Sequence, residues 1–263
     1  EIISAVNTLL IGGKADAALE LALDAQTHAP QEASSHIALF EVYLGLGKLS
    51  KARNALRAAV RLKENPDAFL MHRSRLSLLE ADTFATTALL RRRLSLYPSD
   101  GFALWAYALS MPNERNGAAT FSFDMKTALN RLHPDMLPLD FAAAVHLLMG
   151  DADQSLRLME QGIQRDCDDA TPAPEKENCE AWYKAMANQD LDDALRLVDS
   201  ALAQDPYRPD FLDTKAVVHL RRGEIGLAKE SAQEAVRLSP ADVYHLWQLD
   251  RIRTLQHSAG TPK

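Results

Sequence analysis

Two cysteines are the residues of this sequence with the clearest capacity for chemistry. Cys167 and Cys179 are the only cysteines among 263 residues, and the acidic, proline-containing segment DDATPAPEKEN separates them. A disulfide between them would close that segment into a loop and would indicate an oxidising compartment. The alternative is two free thiols, one at a helix end and one packed at the next helix start. A spacing of twelve without neighbouring Cys or His does not fit a zinc site, so we predict neither a metal nor another cofactor.

No arrangement typical of an enzyme is recognisable in the sequence. There is no HExxH motif, no Ser/His/Asp set and no Gly-rich phosphate loop, and GLGKLS at 45–50 lacks the spacing of such a loop. Among the scattered histidines, His146 and His219 are predicted to pack against a neighbouring helix. The consecutive arginines 91–93 would point about 100° apart on a helix, so they form no single anion site. The sequence therefore predicts a protein that is not an enzyme.

The charge distribution limits the kinds of partner. Residues 166–193 contain nine acidic and two basic residues, which accounts for the whole net charge of −7. This acidic segment argues against nucleic acid as a partner. No apolar run approaches the ~20 residues of a membrane span, so we predict no direct membrane insertion by these residues. Because the chain begins at Glu1 rather than Met, we expect a fragment from which a signal or anchor was removed.

A regular spacing organises the chain into repeats. The segment 210–240 has the pattern of two amphipathic helices that join at Gly223, and its outline recurs along the sequence. Equivalent small residues and prolines lie 34 residues apart. These pairs are Gly13 and Gly47, Ala18 and Ala52, Ala25 and Ala59, Ala194 and Ala228, Ala201 and Ala235, and Pro206 and Pro240.

The pattern resembles the tetratricopeptide (TPR) family, which has small residues at fixed points of two helices, an aromatic in the first helix and a closing proline. The matching residues are Tyr43, Gly47, Ala52 and Ala59, then Trp182, Ala194, Ala201 and Pro206, and finally Ala216, Ala228, Ala235 and Pro240. The resemblance implies an all-α fold, a TPR-like α-solenoid in which helix-turn-helix repeats form a right-handed superhelix. Each repeat must stack on its neighbours to bury its apolar face.

We expect a single domain over 1–257 that contains about seven repeats and a C-terminal capping helix. The predicted repeats are 1–30, 33–66, 67–98, 101–134, 136–167, 175–206 and 209–240, followed by the capping helix 241–256 and a disordered tail 258–263. In the third repeat we expect a tight turn near Ala81. In the fourth, Pro112 should end the first helix early, with a long turn at 111–123 and a short helix at 124–132. Stacking of consecutive repeats would bring Cys167 and Cys179 close together.

The resemblance also implies a binding surface, because certain positions of each first helix line the concave face in this family. Aromatic and acidic residues are mixed there, which would suit an extended or helical partner with apolar anchors and a few basic groups. Alternatively, Phe102 and Trp105 fill the distorted fourth repeat. The family's clamp for a terminal carboxylate is not expected, since only Asn7 fits it. The predicted groove residues are Asn7, Ile37, Glu41, Met71, Arg75, Phe102, Trp105, Asp140, Tyr183 and Asp213.

These expectations favour a non-catalytic scaffold that binds a peptide or helix of a partner protein. The presumed truncation and the paired cysteines favour a bacterial envelope assembly or a secretion or exopolysaccharide system, in the periplasm or tethered to the membrane. A cytoplasmic location is the alternative. Two other functions stay open. One is self-assembly, as a homo-oligomer, through the acidic segment 166–193 or the terminal helices, and the other is a regulatory module of an enzyme whose catalytic part lies outside this chain.

Overall fold

The structure of the chain is a computed structural model that describes residues 1–63, 65, 67–110, 127, 129–130, 136–239 and 242–259. Within these residues it consists of fourteen helices and contains no strand. The helices are α1 (Ile2–Ile11), α2 (Ala15–His28), α3 (Ala33–Gly45), α4 (Leu49–Arg61), α5 (Leu70–Leu79), α6 (Thr83–Leu96), α7 (Gly101–Ser110), α8 (Leu139–Leu148), α9 (Ala152–Asp166), α10 (Ala173–Ala187), α11 (Leu191–Gln204), α12 (Pro209–Arg221), α13 (Ile225–Leu238) and α14 (Val243–Ala259).

The helices form a stack of pairs. The two helices of each pair pack on each other, as in α1 with α2, α3 with α4, α10 with α11 and α12 with α13. First helices of successive pairs also contact each other, as α1 does with α3, α8 with α10, and α10 with α12. The order of contacts therefore follows the order of the chain, which defines the all-α, TPR-like solenoid that the sequence predicts.

Each described turn between the two helices of a pair contains a residue with a positive φ angle. Ala81 (φ 55°) and Asn188 (φ 55°) adopt the left-handed conformation at the turns that lack a glycine. This conformation costs an L-residue with a side chain about 1–2 kcal/mol, which explains why glycine occupies most of these turns. The tight turn expected near Ala81 is present. The glycines with positive φ at the other turns are Gly13, Gly47, Gly150 and Gly223.

Small residues allow the close approach of the helices. Many alanines of the second helices are fully buried, so that the backbones of two helices can approach and larger aliphatic side chains fill the remaining space. Their burial explains the 34-residue alanine spacing as a packing requirement. The fully buried alanines of these helices are Ala18, Ala22, Ala52, Ala59, Ala194, Ala201, Ala228 and Ala235.

Gly162 is the small residue with the most restrictive surroundings. It lies in α9 beneath the ring of Tyr183, and a Cβ at this position would overlap that ring. We expect Gly162→Ala to lower the free energy of unfolding by about 1–3 kcal/mol, because α9 and α10 must then move apart. Gly226 of α13 is the matched control, since a Cβ there would meet no atom within 4 Å. Gly226→Ala should instead raise stability by about 0.5–1 kcal/mol.

Urea unfolding followed by circular dichroism measures both effects. Equal stability of the two alanine variants would contradict the close packing of Tyr183 on Gly162.

The connection between α9 and α10 corrects one expectation. The sixth repeat was predicted to begin at residue 175, but α10 begins at Ala173, so the connection between the two helices is limited to 167–172. Pro174 is compatible with a helix here because it lies in the first turn, where its missing N–H would have no helical acceptor. Cys167 and Cys179 are joined in a disulfide with their Cα atoms 5.7 Å apart, which fixes the end of α9 to the second turn of α10.

The fourth repeat is described only in part. Its first helix, α7, ends at Ser110, while the predicted turn at 111–123 and six of the nine residues of the predicted helix at 124–132 lie outside the described residues. At the C-terminus, α14 extends through Ala259, so it includes the first two residues of the predicted disordered tail. Residues 260–263 lie outside the described part of the chain.

The last helix packs on two faces. Leu249 and Ile252 of α14 are buried against Ala228 and Ala232 of α13, so the helix covers the last repeat as predicted. A second face of α14, which carries Trp247, packs on α5. Helix α5 belongs to the third repeat and is therefore far from α14 in the sequence. Helix α14 therefore crosses the surface formed by the first helices, a position that the repeat pattern of the sequence does not predict.

Candidate functional site

Two of the predicted groove residues in the N-terminal repeats, Glu41 and Arg75, bond to each other. Arg75 of α5 donates from Nη1 to Oε1 of Glu41 at 2.8 Å and from Nη2 to Oε2 at 2.9 Å. The Nε2 atom of His72 lies 3.4 Å from the same Oε1. Burial alone would raise the pKa of Glu41, but hydrogen bonds from His72 and Arg75 outweigh burial and hold this pKa below its ordinary value. Glu41 and Arg75, which are equivalent in successive repeats, thus satisfy each other inside the solenoid.

The other predicted groove residues of this region differ in accessibility. Ile37 is fully buried in the first apolar cluster, and Met71 is half-buried. The Oδ1 atom of Asn7 is buried and has no hydrogen-bond partner among the described residues. The described structure therefore does not bring these three side chains together as one open polar surface.

The middle of the predicted groove is occupied by the chain's own last helix. Phe102 makes edge-to-face contacts with Tyr244 and Trp247 of α14, with ring centroids 6.2 and 5.9 Å apart. Trp105 is only 2% exposed, and Arg221 places its guanidinium 6.0 Å from the Trp105 ring centroid. Phe102 and Trp105 thus pack beneath α14.

Tyr183 is a core residue of the α9–α10 pair. It is 4% exposed, and its hydroxyl donates a hydrogen bond to Asp166 at the end of α9. Burial and the Asp166 carboxylate raise the pKa of the Tyr183 phenol far above its ordinary value. The structure therefore places Tyr183 in the packing between helices rather than on an open surface.

The two remaining predicted residues, Asp140 and Asp213, lie in one open cleft beside the start of α14. We call it the acidic cleft, and its volume is roughly 260 Å³. It combines carboxylates with aromatic walls. Its lining residues are Asp140, Phe141, Asn178, Trp182, Asp210, Asp213, Thr214, Tyr244 and His245.

Asp140 is held by an aromatic residue of the neighbouring repeat. The indole Nε1 of Trp182 donates a hydrogen bond to Oδ2 of Asp140 at 2.9 Å. The Trp182 ring also meets Phe141 and Tyr244 edge to face, at centroid distances of 6.2 and 6.1 Å. Burial raises the pKa of the Asp140 carboxyl, although the Trp182 hydrogen bond acts in the opposite direction. Three aromatic rings therefore form a rigid wall on one side of this carboxylate.

Asp213 is the most unusual group of the cleft. It is 4% exposed, and its Oδ1 atom has no hydrogen-bond partner among the described residues. Burial and the negative charges of Asp242 and Asp210 raise the pKa of Asp213 well above its ordinary value. Burial of a carboxylate normally requires a pairing group, because the cost of removing the charge from water is large. No such pairing group contacts the Asp213 carboxylate among the described residues.

The electrostatics of Asp213 predict how its removal changes stability. We expect Asp213→Asn to raise the free energy of unfolding at neutral pH by about 1 kcal/mol, because the variant buries no unpaired charge. The pKa is higher in the folded than in the unfolded protein, so ionisation destabilises the native state as pH rises above the unfolded value. The gain should therefore disappear on acidification below that value, where the carboxyl is protonated in both states. Urea titrations at several pH values measure it, and a pH-independent difference would contradict this explanation.

The acidic segment 166–193 is partly neutralised within the chain. Lys184 lies 3.2 Å from both Asp190 and Asp193, and Arg222 pairs with Asp192. Such exposed pairs contribute little to stability, but they reduce the local field of the segment.

Several cleft residues were not predicted. Asn178, Trp182, Tyr244 and His245 lie on α10 and α14, and only their approach to Asp140 and Asp213 in space makes them part of one site. A signal for α14 was present in the sequence, since Tyr244 and Trp247 lie on a different side of the helix from Leu249. A helix with two apolar sides is expected to pack against two elements.

The described residues contain neither a metal site nor a membrane span. No group of three or more His, Cys, Asp or Glu side chains among them is placed to hold a metal ion. None of the helices in the described part of the chain is both long and apolar enough to cross a membrane.

The stacked helix pairs define the chain as a solenoid of the TPR type, and comparison with solved structures agrees. A chain of the crystal structure of the APC/C hetero-tetramer Cut9–Hcn1 matches with a TM-score of 0.51 and 14% identity, over 94% of this chain and 48% of that one. A TPR protein from Parabacteroides merdae matches with a TM-score of 0.49 and 15% identity, over 96% and 98% of the two chains. No protein-family model and no curated protein matches the sequence.

Proposed function

We propose that this chain is a non-catalytic scaffold that binds a peptide or helix of a partner protein on its concave surface, beside α14. The single observation that carries this proposal is the acidic cleft, in which two predicted groove residues, Asp140 and Asp213, meet aromatic side chains at an open surface. A cleft of this kind offers anchors for an apolar side chain and for a basic one.

The proposed binding surface is only one part of the predicted groove. The pairing of Glu41 with Arg75 and the packing of Trp105 under α14 leave these residues few free groups for a partner. The partner segment therefore lies at the end of the surface formed by α8, α10 and α12. We also propose that the repeats from 1 to 240 and α14 act as one domain, because α14 contacts both the last helix pair, through α13, and the third pair, through α5.

The setting that fits best is a bacterial envelope assembly or a secretion or exopolysaccharide system. The support for it is the Cys167–Cys179 disulfide, because structural disulfides persist mainly in oxidising compartments. Protein trapped with a thiol-blocking reagent at the moment of cell lysis should then contain no free thiol. Two blocked thiols per chain would remove the support for this setting.

A photo-cross-linker tests the binding surface. We would place p-benzoylphenylalanine at Asp210, an exposed residue at the edge of the cleft, and at Leu227, an exposed residue of α13, as the matched control. Cross-linking in extracts of the source cells should join the Asp210 variant to one segment of one protein, identified by mass spectrometry, and the Leu227 variant should give no such product. Equal products from both positions, or none from Asp210, would contradict the proposed surface.

A further inference from the structure

We propose that the acidic cleft is a binding site for an organic cation, an alkylammonium or guanidinium group that enters between Asp140 and Asp213 and contacts the rings of Trp182 and Tyr244. This inference deepens the proposed function, on which it rests, because it names the chemistry of the anchor that the scaffold takes. A lysine or arginine side chain of the partner and a free amine share this chemistry.

The unpaired carboxylate of the cleft and its acidic neighbours favour the binding of a cation. Asp213 is buried with an oxygen that bonds to no described residue, and its charged neighbours Asp210 and Asp242 are also negative. Asp210 has Arg208 as a partner at 2.9 Å, whereas no ion pair of Asp213 is present among the described residues. Arg221 and Arg251 are directed to other groups, since Arg221 donates to the carbonyl of Ala185 and Arg251 to the side chain of Gln248. An incoming cation would supply the pairing that burial of Asp213 requires.

Three other lining residues also have a buried polar atom without a hydrogen-bond partner among the described residues, namely Asn178, Tyr244 and His245. The Oδ1 atom of Asn178 is buried and has no hydrogen-bond partner in the described structure. An amide oxygen is an acceptor only, as is an ionised carboxylate. The cleft therefore presents unused acceptors from two different helices, α10 and α12, which matches the several N–H donors of an ammonium or guanidinium group.

The aromatic walls select an organic cation. The rings of Phe141, Trp182 and Tyr244 pack edge to face, with successive centroids 6.2 and 6.1 Å apart, and this packing fixes their positions. Aromatic faces attract ammonium and guanidinium groups and also bury the methylene groups of a lysine or arginine side chain. A metal ion would instead need several ligands converging at short distances, which the described carboxylates do not provide.

The test uses three small probes and one resonance. The probes are Nα-acetyl-lysine methylamide, its uncharged counterpart Nα-acetyl-norleucine methylamide, and 1,5-diaminopentane. The readout is the indole N–H signal of Trp182 in the NMR spectrum of the whole chain, which contains only three tryptophans. We expect the lysine probe to shift this signal saturably, with an affinity in the millimolar range, and the norleucine probe to leave it in place.

Two variants separate a site from general attraction to an acidic protein. Asp213→Asn should weaken binding of the lysine probe by about tenfold or more, because a charge-assisted hydrogen bond is lost. Asp250→Asn removes the same charge from an exposed position of α14 and should change the affinity by less than about twofold. Because Asp213→Asn is expected to be at least as stable as the parent, unfolding would not explain its loss of binding.

Each outcome of the titration is decisive. Saturable shifts by the lysine probe or the diamine that depend on Asp213 support the cation site, and the tighter of the two identifies the source as a peptide side chain or a free amine. Equal shifts by the norleucine probe, no shift by either cation, or equal loss in both variants would overturn it. If the probes fail while the cross-linker at Asp210 still captures one protein segment, the scaffold proposal stands without the cation site. If the probes bind in a manner that depends on Asp213 but the cross-linker at Asp210 captures no protein segment, the cation site stands and the scaffold proposal does not.

Discussion

Arg75→Ala is expected to lower the free energy of unfolding by about 3–5 kcal/mol, because it leaves the buried carboxylate of Glu41 without its bidentate partner. The side chain of Glu41 is 4% exposed and that of Arg75 is 14% exposed, so water cannot replace the two lost hydrogen bonds. The pair joins α3 to α5 in successive repeats, so its loss should also loosen the contact between them. Urea unfolding monitored by circular dichroism measures the change.

Two further variants identify burial as the cause. Arg53→Ala removes an exposed partner of Glu80 and should cost at most about 1 kcal/mol. The double variant Glu41→Leu/Arg75→Met removes both charges and should be more stable than Arg75→Ala, because no unpaired charge remains buried. A loss for Arg75→Ala no larger than that for Arg53→Ala would show that the Glu41 carboxylate is accessible to water, contrary to the described packing.

Removal of the disulfide is expected to have the second-largest effect. Cys167→Ala/Cys179→Ala should lower the free energy of unfolding by about 2–4 kcal/mol, because the bond closes a short loop and restricts the unfolded chain. The two cysteines are twelve residues apart. Thermal unfolding of the parent with and without a reductant gives the same comparison in an unmodified chain.

The reductant provides the control for this prediction. The parent should lose a similar amount of stability on reduction, whereas the double alanine variant should not respond. A parent whose unfolding is unchanged by full reduction would contradict a stabilising role for the bond. Such a result would also weaken the proposed envelope setting, since the disulfide is its main support.

The repeat architecture could be predicted from the sequence because it depends on local spacing. A buried alanine every 34 residues and a turn residue with positive φ are short-range requirements, and Ala18 and Ala52 or Gly13 and Gly47 display them directly. Even the turn at Ala81 followed from its position in the period. Helix pairs are therefore specified by patterns within about one repeat of sequence.

The site could be predicted only in part because it depends on contacts across the stack. The groove positions Asp140 and Asp213 followed from the repeat register, but their burial depends on Trp182 and on Tyr244 of α14. Glu41 and Arg75 were predicted as groove residues, and the 34-residue spacing that identified them also places them on adjacent first helices, where they bond to each other. No periodic pattern specifies where a terminal helix will pack, so the filling of the surface by α14 could not be derived from the repeats.

The packing of α14 across the first helices determines which part of the surface formed by these helices remains open. Hydrogen–deuterium exchange of the whole chain tests it most directly. We predict that the backbone amides of α14 between Trp247 and Ile252 exchange as slowly as those in the middle of α12 and α13, since the helix is packed on two faces. Exchange of these amides at the rate of an unstructured peptide, with α12 and α13 still protected, would contradict this packing and would leave the surface formed by the first helices uncovered.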